Sequence, residues 1–158
     1  MNRAKNSALV LALVLGLAGC ESFQLMAPGD RQSSDVLVSG QVRVMLKLDR
    51  TELTPPGVIL AMLRYENLGA SSVEITSGYG CLSFAGVYRG EERIPFPSTD
   101  YYCTTAVTKR ELAPGQQIGM DWPLHIGEHG VDLGPGQYRF VAQLNTHAED
   151  LDVKFVVR

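Results

Sequence analysis

Apolar and polar residues alternate along short segments of this chain, and this period of two constrains the fold more than any other feature. In Val42–Leu48, four aliphatic residues occupy every second position, and Arg43 and Lys47 lie between them. Successive side chains of a β-strand point to opposite faces, so the pattern predicts a strand with one face buried.

Further segments of this type follow at intervals of roughly ten residues and are separated by proline and glycine turns such as Ala113-Pro114-Gly115. The predicted strands cover Val36–Val38, Val58–Asn67, Ser72–Thr76, Leu82–Tyr88, Thr104–Leu112, Gln117–Leu124, Gln137–Leu144 and Leu151–Val157. No segment has the apolar face of a helix of useful length. We therefore expect an all-β domain, an antiparallel sandwich of about eight or nine strands over residues 36–158, with Trp122 on an inner strand.

The first twenty residues have the order of a secretory signal. Arg3 and Lys5 precede an apolar run, and Leu17-Ala18-Gly19-Cys20 follows it. This tetrapeptide resembles the bacterial lipobox, which implies that the chain is cleaved before Cys20 and that the thiol is acylated. Residues 20–35 then lack apolar periodicity and are predicted to form a tether. The alternatives are a plain secretory signal or a transmembrane anchor, although the apolar run is too short to span about 30 Å of hydrocarbon.

Lipidation at Cys20 implies a protein held in the bacterial cell envelope and facing the periplasm. More than one acyl chain makes a stable tether, where a single chain is marginal. In Gram-negative lipoproteins an aspartate after the acylated cysteine favours retention in the inner membrane, so Glu21 favours the outer membrane.

The charge balance argues against a nucleic-acid partner. The formal net charge of the chain is −3 at pH 7, and removal of Arg3 and Lys5 with the signal makes it more negative. The sequence contains no basic stripe and no basic–aromatic interleaving of the kind that binds a phosphate backbone. No cofactor is predicted.

Cys81 and Cys103 are the two cysteines that remain after Cys20. An even pair in an exported chain favours a disulfide, worth about 3 kcal/mol for a loop of this length in the chain-entropy model. A free nucleophile and a metal ligand are the alternatives, but neither cysteine has a second cysteine or a histidine at ligand spacing.

Three groups of segments resemble the intracellular proteinase inhibitor family (BsuPI-type). They are Leu63–Gly69 with Ser72–Thr76, Glu111–Gln116 leading to Met120–Leu124, and Leu133–Leu144. The resemblance implies an Ig-like β-sandwich and, as a special case, proteinase inhibition. The lipobox and the cysteine pair depart from a family whose name-giving members are intracellular.

The strongest catalytic motif is His125-Ile126-Gly127-Glu128-His129, which matches the H-x-x-E-H spacing of zinc peptidases. That chemistry needs both histidines on one helical face. Gly127 and Gly130 disfavour a helix, each by about 1 kcal/mol relative to alanine. The motif therefore predicts a solvated loop, with a metal-dependent hydrolase using His125, Glu128 and His129 as the alternative function.

The segment Phe96–Tyr102 is the predicted partner-binding loop. Tyr101 and Tyr102 precede Cys103, and tyrosine gives a large contact area at low entropic cost. The alternative is that the tyrosines pack beneath the loop and seal the sandwich. The sequence thus predicts a non-catalytic domain that binds a protease or another envelope protein, or supports an envelope assembly, with Phe96, Tyr101 and Tyr102 as contact residues.

Overall fold

The computed structural model describes residues 33–38, 40–77, 80–95, 106–145 and 150–158. Within these ranges the chain forms eleven β-strands and no helix. The strands are β1 (Ser33–Val38), β2 (Val42–Leu48), β3 (Glu52–Leu53), β4 (Gly57–Asn67), β5 (Val73–Ser77), β6 (Ser83–Arg89), β7 (Glu92–Ile94), β8 (Thr108–Leu112), β9 (Gln117–Ile126), β10 (Gly136–Leu144) and β11 (Leu151–Val157).

Two larger sheets and one small sheet make up the sandwich. The four-stranded sheet has the order β1-β2-β4-β9 and is antiparallel throughout. The five-stranded sheet has the order β3-β11-β10-β6-β7 and is antiparallel except for the short parallel pairing of β3 with β11. Strands β5 and β8 pair separately as an antiparallel ribbon. The predicted all-β sandwich is confirmed.

The core consists mainly of the side chains at every second position of the two large sheets, and Ile75 and Leu112 of the ribbon add to it. In β2 the four aliphatic residues of the alternating segment are at most 2% exposed, so the predicted buried face is confirmed. Trp122 of β9 and Phe140 of β10 lie in different sheets, and their ring centroids are 5.8 Å apart. This aromatic contact joins the two layers at the centre of the sandwich.

The position of Trp122 differs from the prediction. Strand β9 is the end strand of its sheet and not an inner strand, although Trp122 itself is 4% exposed. Alternation shows which face of a strand is buried, because the facing sheet covers that side, but it carries no information about how many neighbours the strand has.

The strand count and some boundaries also differ from the prediction of about eight or nine strands. Strand β3 contains only two residues, too few for a period of two to be visible. Strand β1 begins at Ser33, inside the segment predicted as a tether. Strand β8 begins at Thr108, whereas the predicted strand began at Thr104, which lies outside the described residues.

Asn67 is a fully buried polar residue at the end of β4. Its Nδ2 donates to the carbonyl oxygens of Ser71 and Leu112 at 2.8 and 2.9 Å. Its Oδ1 accepts from the backbone N–H of Gly69 at 2.9 Å. The backbone of Asn67 exchanges two further hydrogen bonds with the turn before β9, donating to Gln116 and accepting from Gly115. One side chain thus fixes the end of β4 to the end of β8.

We expect Asn67→Ala to lower the free energy of unfolding by about 2–4 kcal/mol, because each buried group left without a partner costs about 1–3 kcal/mol. Urea unfolding followed by circular dichroism measures the change. Leu68→Ala is the matched control, since Leu68 is adjacent but 53% exposed, and it is expected to change stability by less than about 0.5 kcal/mol. Equal stability of the two variants would contradict the assigned role of Asn67.

Candidate functional site

The predicted partner-binding residues Phe96, Tyr101 and Tyr102 lie outside the described residues. The structure does place the two strands that this segment connects. Strand β7 precedes it at the edge of the five-stranded sheet, and β8 follows it in the ribbon. Just before β8, Val107 is 62% exposed. The segment therefore links two different sheets.

Cys81 lies between β5 and β6 and is disulfide-bonded. Its predicted partner, Cys103, is outside the described residues, so the Cys81–Cys103 pairing stays a prediction. The carbonyl oxygen of Cys81 accepts hydrogen bonds from Ser77 Oγ at 2.6 Å and from Asn145 Nδ2 at 2.8 Å. The backbone at Cys81 is consequently fixed from two sides.

A cavity of about 260 Å³ lies beside Cys81, between β8 and β9. The turn before β9 separates the two strands, which then pair with different neighbours, and the cavity occupies the space between them. Its wall includes Arg110 and Thr108 of β8 and Ile118 and Met120 of β9. No sequence pattern indicated this cavity, because strand alternation does not show where two consecutive strands diverge.

The histidine motif spans the end of β9 and the turn after it. His125 and Ile126 belong to β9, where they pair with Val58 and Gly57 of β4, so the prediction of a loop over the whole motif was wrong for these two residues. The predicted strand ended at Leu124. Strand β4 extends to Gly57, so its backbone also pairs with His125 and Ile126, and β9 continues to Ile126. Ile126 is accordingly buried.

Glu128 and His129 lie in the turn, with side chains 79% and 91% exposed. His129 Nε2 is 3.8 Å from Glu128 Oε1, and His129 has a φ of 65°. A Cβ at Gly130 would clash with the carbonyl group of His125, so this turn requires glycine there. Across the described ranges, no group of three or more histidine, cysteine, aspartate or glutamate side chains is placed to hold a metal ion.

The signal segment and Cys20 also lie outside the described residues. In the part of the chain that the structure describes, no helix is long and apolar enough to cross a membrane.

An ion pair ties β5 to β8 on the exposed face of the ribbon. Lys109 Nζ lies 2.9 Å from Glu74 Oε1. The hydrogen bond from Lys109, together with its positive charge and a hydrogen bond from Thr76, lowers the pKa of Glu74. Glu111 lies directly opposite Glu74, and Lys109 offsets the repulsion between these two carboxylates.

We expect Lys109→Met to raise the pKa of Glu74 toward its ordinary value, measured by NMR titration of the glutamate side chains. A lowered carboxyl pKa in the folded state stabilises the fold above the unfolded-state pKa, and the contribution is lost as the pH falls through the folded-state pKa. The stability difference between the wild type and the variant should therefore disappear in acid. Arg110→Met is the control, because Arg110 alternates to the other face of the ribbon. An equal shift in both variants would contradict the pairing.

No family model matches the chain, and no curated protein matches it. Solved structures with some similarity include a β-glucosidase from Erythrobacter marinus, with 10% identity and a TM-score of 0.42 over 72% of this chain and 15% of that chain. An alkylpurine DNA glycosylase from Pseudomonas fluorescens, bound to DNA with an abasic site analog, has 13% identity and a TM-score of 0.40 over 70% of this chain and 28% of that chain.

A β-glucosidase from Listeria innocua is similar at 14% identity and a TM-score of 0.40, over 71% of this chain and 16% of that chain. This chain therefore spans less than a third of the length of each of the three proteins. Similarities at this level carry no argument about what this chain does.

Proposed function

We propose that the chain is a lipid-anchored protein of the bacterial envelope whose β-sandwich faces the periplasm and binds another protein without catalysing a reaction. The observation that carries the proposal is Cys20 at the end of Leu17-Ala18-Gly19-Cys20. Strand β1 begins at Ser33, 13 residues after Cys20. These 13 residues span at most about 47 Å at up to about 3.6 Å per residue, so the sandwich would act close to the membrane. Glu21 favours the outer membrane.

The buried polar groups of the described residues serve the fold itself. The buried polar residues within the described ranges are Asn67, Ser77 and Ser83. Asn67 joins strand ends, and Ser77 and Ser83 donate to backbone carbonyl oxygens at 2.6 and 2.8 Å. These groups complete the hydrogen bonding of the fold.

Proteinase inhibition is the special case that the family resemblance implies. It would place the Phe96–Tyr102 segment in the cleft of a protease. The hydrogen bonds that fix Cys81 support this arrangement, because a disulfide to Cys103 would fasten the loop to a rigid point and reduce the entropy lost on binding.

We expect the double variant Tyr101→Ala/Tyr102→Ala to weaken partner binding at least tenfold, since tyrosine is enriched among the few interface residues whose truncation costs about 2 kcal/mol or more. The partner is obtained by chemical cross-linking in cells, identified by mass spectrometry and then titrated with the purified chain. Leu37→Ala is the control, because Leu37 is 52% exposed on β1, far from this segment in the sequence. Unchanged affinity of the double variant would show that the tyrosines are not contact residues.

We expect Cys20→Ala to abolish lipidation and to release the protein from the membrane fraction. Mass spectrometry of the wild-type product should find a chain that begins at an acylated Cys20. Cys103→Ala should remain lipidated and membrane-bound. An unmodified thiol at Cys20 in the native protein, or an intact Met1, would refute the envelope anchor.

A further inference from the structure

Four outward-facing side chains lie side by side across the five-stranded sheet. Arg93 of β7 is opposite Tyr88 of β6, Tyr88 is opposite Arg139 of β10, and Arg139 is opposite Lys154 of β11. Neighbouring strands are about 4.8 Å apart, so these residues form a straight line of about 14 Å. We call Arg93, Tyr88, Arg139 and Lys154 the basic row.

The basic row places two cations directly opposite each other. Arg139 and Lys154 are register partners, and like charges at such positions destabilise a sheet. Lys154 is exposed, and no hydrogen bond or ion pair connects it to any part of the chain that the structure describes. The arrangement is notable because the chain as a whole is acidic, with a formal net charge of −3.

The outer face of the four-stranded sheet shows the opposite arrangement. Arg43 is directly opposite Glu66 and forms an ion pair with it. Arg64 forms an ion pair with Asp121 at 2.6 Å. Cross-strand carboxylates thus neutralise these arginines, whereas the strand neighbours of the basic row supply none.

Contacts within the sheet hold the basic row in place. Arg139 Nη2 donates to the carbonyl oxygen of Gly90 at 2.9 Å, and its guanidinium carbon lies 5.8 Å from the centroid of the Tyr88 ring. Arg93 Nη2 is 3.5 Å from the carbonyl oxygen of Ala85. These contacts fix the two arginines beside the Tyr88 ring.

Two carboxylates lie at the margins of the basic row. Glu91, in the turn between β6 and β7, forms an ion pair with Arg139 at 3.7 Å, and its side chain is fully exposed. Asp152 is the next outward-facing residue of β11 and is opposite Val141. These two carboxylates interrupt the positive charge of this face. A ligand with a continuous negative surface would meet them, whereas a ligand with carboxylates at defined positions would fit between them.

We propose that the basic row is a docking surface for an acidic, extended segment of a partner protein. Arginine and tyrosine are enriched at protein interfaces and among the residues that contribute most to binding. The planar guanidinium groups of Arg93 and Arg139 match carboxylates in two-point hydrogen bonding. The inference rests on the proposed protein-binding function and names the chemistry of the partner.

The test uses the full chain purified in detergent and a synthetic peptide of eight residues in which glutamate and threonine alternate. Calorimetric titration at low ionic strength measures its affinity. We expect Lys154→Glu to weaken binding at least tenfold and added salt to weaken it further. Lys47→Glu is the matched control, because Lys47 is also exposed on an outer sheet face, with Ser33 and Met62 as its strand neighbours, and it should change affinity less than twofold.

Parallel titrations use alginate, an anionic polysaccharide, and vesicles containing phosphatidylglycerol. Absence of peptide binding, equal loss in the Lys154→Glu and Lys47→Glu variants, or binding of alginate or vesicles in place of the peptide would each overturn the proposal. Arg93→Glu provides a second variant, and circular dichroism checks that both variants fold. If the basic-row proposal fails but the Tyr101→Ala/Tyr102→Ala variant still binds its cross-linked partner more weakly, the proposed protein-binding function is retained.

Discussion

Burial of alternate side chains between the two large sheets is the constraint on which the rest of the structure depends. Full burial of an aliphatic or aromatic side chain contributes about 1.5–3 kcal/mol, whereas an exposed ion pair contributes about 0–1 kcal/mol. A slip of one residue in the register of β2 would expose Val44 and Leu46 and bury Arg43 and Lys47. The apolar pattern therefore sets the register, and the ion pairs of the outer faces follow from it.

A polar contact decides how the ribbon joins this core. Asn67 holds the end of β4, the end of β8 and the turn into β9 together through its side chain and backbone. From this joint β8 and β9 diverge, one into the ribbon and the other into the four-stranded sheet. Asn67 thereby fixes the point from which the two strands beside the Cys81 cavity diverge.

The sequence predicted the fold class and the buried face of most strands, because the periodicity of β2, β4 and β10 is a local consequence of one-sided burial. It failed for β3, whose two residues contain no readable period. It also placed Trp122 on an inner strand, since burial of a face and the number of strand neighbours are independent. His125 was assigned to a loop because the residues around it have no local strand pattern. It belongs to a strand because it pairs with Val58, which is distant in the sequence.

Of the candidate sites, the lipidation signal and the cysteine pair are predictions from the order and number of residues along the chain, and Cys20 and Cys103 lie outside the described residues. The basic row could not be predicted in this way, because Tyr88, Arg93, Arg139 and Lys154 come from four strands and become neighbours only through register. The sequence by itself determined which side of each longer strand faces the core, since that choice depends on residues two positions apart. Only the tertiary structure decided which strands pair, which strand ends each sheet and which charges meet, because those outcomes depend on contacts between distant segments.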